Sequence, residues 1–149
     1  MDTDATNGRL ADRAAIIDLT ARYCWALDQK NWADLDHVFT PDATADLGRG
    51  GQNSRDEIVS RIRSSLDPLD DSQHMVSTHA ITIDGDTATS RCYLHAQHVL
   101  RGTPGGELFV AAGRYEDDLI RTADGWRIKH RALTIMWTDG NRAVMESVT

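Results

Sequence analysis

The chain has 149 residues, the length of one ordinary domain, with 40% apolar and 26% charged residues, 11 Gly and 3 Pro; this is the composition of a globular protein and excludes disordered or collagen-like classes. Its 16 Lys and Arg face 23 Asp and Glu for a formal charge of −7, which repels phosphate backbones and argues against nucleic acid as a partner. No apolar run approaches the roughly 20 residues of a membrane span, the start Met1-Asp2-Thr3-Asp4 is unlike a secretory leader, and Cys24 and Cys92 lack the spacing of a disulfide framework or zinc knuckle, so a cytoplasmic protein without membrane contact is expected.

Residues 1–9 are small and polar and read as a mobile lead-in to one domain over 10–140, with 141–149 as a tail. From Arg13 to Asp28 the apolar positions Ile16, Leu19, Tyr23, Ala26 and Leu27 keep helical spacing, with a second stripe at Ile17, Ala21 and Cys24. Asn31 can cap a short helix carrying Trp32, Leu35, Val38 and Phe39, stopped by Thr40-Pro41-Asp42. A short strand over 43–47 follows. Ser54 and Glu57 form a capping box for a third helix with Ile58, Ile62 and Leu66 on its apolar side, ending before Pro68.

Beyond His74 the apolar period shortens toward two, and Asp84-Gly85, 102–106, Asp124-Gly125 and Asp139-Gly140 punctuate it. Four strands are expected, at about 74–83, 87–100, 108–121 and 126–137. Helices first and hairpin strands afterwards predict an α+β fold, about three N-terminal helices on one face of an antiparallel sheet. A strongly curved sheet closed over by the long helix encloses a pocket. The Gly-rich run 102–106 lies between strands and precedes no helix, so it is a hairpin turn and not a phosphate loop.

The run Ala15-Ile16-Ile17-Asp18-Leu19 through Tyr23 to Ala26-Leu27-Asp28, followed by Trp32, Leu35 and Phe39-Thr40-Pro41-Asp42-Ala43, resembles the SnoaL-like branch of the nuclear-transport-factor-2-like superfamily. His74, the turn Asp84-Gly85-Asp86-Thr87-Ala88, Gly113-Arg114-Tyr115-Glu116-Asp117 and Gly125-Trp126-Arg127-Ile128 look like its strand landmarks, so the likeness covers about 10–138. It implies a cone-shaped α+β barrel with an apolar pocket. The superfamily holds dehydratases, dehydrochlorinases, isomerases, polyketide cyclases and binding modules, so the fold does not name the reaction.

Asp28 and His74 match the acid and base positions of the lyase members, and Tyr23 and Arg131 match a tyrosine and an arginine of such pockets. The chemistry suits them: β-elimination needs a base poised near neutrality, and a carboxylate on the other ring nitrogen fixes the tautomer. Asp28 continues the second apolar stripe to a helix C-terminus, where the dipole disfavours a negative charge and a partner is expected. His74 and His79 compete for the role of base. Five residues apart on an unbroken strand, they face opposite ways, and the resemblance favours His74. His95 and His98 also face opposite ways, and one of them can line the cavity; His37 and His130 read as surface or capping residues.

Trp25, Leu133, Ile135 and Trp137 are the expected substrate-facing side chains, the last three sharing a strand face with Arg131. The six His make no metal motif, and neither metal nor other cofactor is expected. Two functions follow: a lyase or isomerase without cofactor, acting on a small apolar ring compound such as a steroid or polyketide, or a non-catalytic module binding a small molecule or a protein. The exposed sheet face needs a cover, which the resemblance assigns to a homodimer or homotrimer.

Overall fold

The computed structural model describes residues 2–146. Its first helix, α1 (Thr3–Asp28), starts where the Asp2 carboxylate accepts the Asp4 and Ala5 backbone N–H groups at 3.1 and 3.3 Å, a side-chain cap for otherwise unpaired donors. Residues 3–9, expected as a lead-in, are therefore helical, although exposed; Met1 lies outside the described residues. The expected stripe Ile16, Leu19, Tyr23, Ala26 and Leu27 is buried, with Cys24 beside it, whereas Trp25 points outward and is 65% exposed.

The expected second helix is a 3-10 turn (Trp32–His37), and Phe39 already opens a strand, β1 (Phe39–Asp46). Val38 and Phe39 favour extended backbone, and Pro41 disfavours a helical residue before it. Pro41 is tolerated because β1 is an edge strand. In α2 (Arg55–Leu66) the Ser54 hydroxyl accepts the Glu57 N–H at 3.1 Å, while the Glu57 carboxylate accepts from Asn53 at 2.6 Å, one residue before the cap. Ile58, Ile62 and Leu66 face the core as expected.

Strands β2 (Asp71–Asp84), β3 (Thr87–Val99), β4 (Leu108–Thr122) and β5 (Gly125–Gly140) form a meander, and the sheet order is β1-β5-β4-β3-β2. The sheet is mixed and open, not purely antiparallel: β1 runs parallel to β5. The two strands are joined by everything between them rather than by a hairpin, and a parallel pair needs such a long connection. Of the sheet's register shifts, two bulges reset the alternation of side chains near the site. One lies between Ser77 and Ala80, with Thr78 at φ +59°, and the other opposite Ala112 and Gly113. The inner sheet face packs under α1 and α2, and a last short helix, α3 (Ala143–Glu146), adds the fully buried Val144. Of the expected tail 141–149, residues 147–149 lie outside the described residues. Among the described residues no helix is long and apolar enough to cross a membrane.

Candidate active site

Asp28 ends α1 opposite the first turn of β2, and its carboxylate is fully engaged there. Oδ1 lies 2.6 Å from His74 Nδ1 and accepts the Ser72 hydroxyl at 2.9 Å, while Oδ2 accepts the His74 backbone N–H at 2.9 Å. These donors supply the partner that a carboxylate at a helix C-terminus requires. A carboxylate only accepts, so His74 Nδ1 carries the proton and Nε2 is left with its lone pair. The His74 side chain is 6% exposed and that of Asp28 17%.

Two hollows meet at His74. A cavity of about 200 Å³ lies under the inner sheet face, walled by Tyr23, His74, His98, Phe109, Leu133 and Ile135 among others. A shallow groove of about 1220 Å³ is lined by Asp28 and His74 together with Trp25, Met75, Tyr93, His95 and Trp137. Inward and outward residues of β2 both line the groove, and β2 is an edge strand, so the groove wraps round that edge. The cavity is the better reaction chamber despite its smaller size, because it is apolar and walled on the side to which the His74 side chain points.

His98 stands edge-on to His74, ring centres 5.9 Å apart, and its Nδ1–H donates to the Phe109 carbonyl at 3.0 Å. Burial lowers its pKa below the usual histidine value, although the Phe109 bond opposes this. His98 is thus held neutral, with Nε2 as an acceptor. His95 faces outward, 5.7 Å from the Trp137 ring. His79 departs from the expected alternation: the bulge at Ser77–Ala80 turns it inward too, and its Nε2 meets the Thr20 hydroxyl at 2.9 Å on α1. Burial, then the Arg13 charge, lowers its pKa. His130 bonds the Thr44 hydroxyl at 2.6 Å, and His37 is exposed.

Arg131 is fully buried. Its Nε and Nη2 donate to Asp117 at 2.7 and 2.8 Å, and its guanidinium lies 4.4 Å from the centre of the Tyr23 ring and 3.9 Å from that of Tyr115. Burial alone would lower its pKa, but Asp117 reverses this and raises it. Its Nη1 has no hydrogen-bond partner. The arginine therefore stands behind the aromatic wall. Burial raises the pKa of Tyr23, Arg131 opposing, and pushes Cys24 and Cys92 up to about 12 and about 11, so the phenol stays protonated and both thiols stay inert at neutral pH.

Leu133 and Ile135 line the inner cavity as expected, but Trp137 does not share their face. The bulge pairs Gly113 with Ile135 and Ala112 with Trp137, sending the indole outward to the groove where Trp25 also lies. The residues that spacing left unnoticed are Ser72, Asp117 and Arg61. Ser72 is two positions before His74 on the same face; Asp117 interrupts the inward apolar series Tyr115, Asp117, Leu119, and a buried acid on such a series signals a buried cation. Among the described residues no cluster of His, Cys, Asp and Glu could hold a metal.

A long helix and a smaller one laid on an open mixed sheet form a fold shared with a nuclear transport factor 2-like superfamily protein from Salmonella enterica (TM-score 0.78, 18% identity, 90% of this chain and 97% of that one). The chain belongs to the SnoaL-like domain family, which matches residues 8–132. It is 38% identical over 127 residues to the uncharacterised Rv2910c of Mycobacterium tuberculosis, covering 84% of this chain and 86% of that one. The Kfla4162 protein of Kribbella flavida has a similar structure, with TM-score 0.84 and 28% identity over 91% of this chain and 98% of that one. The fold is shared with a candidate scytalone dehydratase of Novosphingobium aromaticivorans (TM-score 0.83, 20% identity, 92% of each chain). It is shared as well with the hexachlorocyclohexane dehydrochlorinase LinA (TM-score 0.77, 19% identity, 88% and 89%).

Proposed function

We propose that the protein is a cofactor-independent lyase that eliminates water or hydrogen halide from a small ring compound, isomerisation by the same proton transfers being its close variant. The observation that carries this reading is the 2.6 Å bond between Asp28 and His74 at the wall of an apolar cavity. His74 Nε2 takes a proton from carbon, the C–H electron pair forms the double bond, and the leaving group departs with its own bonding pair. Asp28 stabilises the imidazolium that results. A departing hydroxide recovers the proton from His74 and leaves as water; a halide leaves as the anion and His74 returns the proton to solvent. Tyr23 supplies a hydrogen bond to the oxygen or halogen as charge builds there, and Arg131 holds Tyr23 in place through its ring.

The cavity size narrows the substrate. A dry cavity of about 150 Å³ takes benzene, so about 200 Å³ takes one ring with small substituents, and the adjoining groove receives whatever extends beyond it. Lyases among proteins of this fold support the reading. Met75, Tyr93, Met136 and Trp137, each 50–52% exposed, form an outer apolar surface suited to a second or third copy of the chain.

The test is turnover of single-ring β-hydroxy and β-chloro compounds, followed by absorbance of the new double bond. His74→Ala is expected to cost about 10²–10⁴-fold while the fold is retained, as circular dichroism would show. Asp28→Asn should remove the far-downfield Nδ1 proton resonance of His74 and most of the turnover. Turnover that persists in His74→Ala would falsify His74 as the base, and a wild type that binds these rings without turning any of them over would overturn the lyase and leave a binding module.

A further inference from the structure

We propose that Arg61 makes the cavity selective for ring compounds carrying a carboxylate. The inference takes from the proposed function only that the substrate occupies this cavity, and it is independent of the Asp28–His74 pair.

Arg61 lies on α2 beside Ile62, Ser65 and Leu66, and all four line the cavity that His74 lines from the sheet. It is the one permanently charged residue among the described lining residues, and none of them is Asp or Glu. Its polar contacts are neutral: Nη1 donates to the Ser65 hydroxyl, and Nε reaches the Gly48 carbonyl at 3.4 Å. That carbonyl already accepts the Gln52 side-chain amide at 3.2 Å. Among the described residues no carboxylate forms an ion pair with Arg61, whereas seven other arginines have one, six of them at 2.7–3.2 Å. Arg49, on the loop beside it at φ +58°, is likewise without an ion pair among the described residues, and its charge opposes that of Arg61.

In a chain of net charge −7, acids are abundant. Arg61 is half-buried, and a guanidinium that gives up part of its hydration beside apolar side chains is stabilised by an anion that meets it. Burial, then Arg49, lowers the pKa of Arg61, the direction expected for an arginine whose counter-ion is missing. The guanidinium fork matches a carboxylate through two parallel hydrogen bonds. A ring acid seated here places its carboxylate toward α2 and Arg49 and its ring against Leu133, Ile135 and Phe109, across the cavity from which His74 acts.

The experiment compares benzoate with benzamide, equal in size and different in charge, by titrating each into the full chain while following the ring resonances of His74 and His98, which report on the cavity. Benzoate is expected to bind about tenfold more tightly or better. In Arg61→Gln the two should bind alike, and Arg61→Lys, which keeps the charge without the fork, should fall between. Equal affinities in the wild type, or a preference that survives Arg61→Gln, overturn the proposal; the wild-type comparison decides even where a variant fails to fold. A preference that depends on Arg61 in a protein that turns over no ring compound would overturn the lyase and leave this inference standing. Turnover of neutral rings without any preference for benzoate would do the reverse.

Discussion

At the scale of single residues, the Arg131–Asp117 pair is the part of the site most sensitive to substitution. Both side chains are 0% exposed, and the guanidinium lies against the rings of Tyr23 and Tyr115, which meet each other edge to face. Asp117→Asn keeps the shape and removes the countercharge, leaving a buried cation whose Nη1 already lacks a partner. Breaking a buried pair from one side typically costs about 3–5 kcal/mol, so Asp117→Asn is expected to lower stability by about that much in urea unfolding. A paired Arg131→Met/Asp117→Leu replacement should recover most of the loss, since apolar residues of similar volume often match or exceed a buried ion pair. A double variant no more stable than Asp117→Asn would show that the aromatic stacking, and not the charge balance, is what the arginine provides.

At the scale of elements, the two bulges decide which side chains reach the cavity. Gly113 makes the β4–β5 bulge: a Cβ there would sit 2.0 Å from the Thr134 carbonyl oxygen, a contact that only backbone movement relieves. Gly113→Ala is therefore expected to destabilise by at least the ~1–3 kcal/mol of ordinary overpacking and to shift the strand that carries Leu133, Ile135 and Trp137. Amide exchange across β4–β5 checks this, and protection equal to the wild type along 133–137 would refute it. The same bulges mark the limit of what the sequence reveals. Helical spacing carries Asp28 to the end of an apolar stripe, but period-two alternation leaves His74 and His79 open as partners, and only the family resemblance favours His74. Counting fails beyond Ser77 on β2 and beyond Ile135 on β5, where one extra residue inverts the faces; His79 then points inward with His74, and Trp137 turns away from Ile135. The parallel edge pair was equally hidden, since β1 meets β5 from the far end of the chain and no local signal specifies that partner.

At the scale of the whole molecule, the buried histidines couple stability to mild acid. Burial holds the pKa values of His79 and His98 below the ordinary value, whereas in the unfolded chain both titrate near about 6.5. As pH falls through that value the unfolded state takes up protons that the native state refuses, so the equilibrium moves toward unfolding. Their stabilisation is present above the unfolded pKa and is lost as pH falls toward the folded one. Asp12 and Asp34, whose pKa values are lowered mainly by their hydrogen bonds to Arg121 and Arg22, lose theirs only below about pH 4. The interval from about pH 7.5 to 5.5 thus isolates the histidines. The melting temperature is expected to fall across it, and His98→Gln and His79→Gln should each flatten the slope while changing its level. His98 is the more informative of the two, because the contact that fixes its neutral tautomer, the Phe109 carbonyl, also places it edge-on to His74. A slope unchanged in His98→Gln would mean that His98 takes up its proton as readily in the fold as out of it, and that burial beside His74 does not hold it neutral.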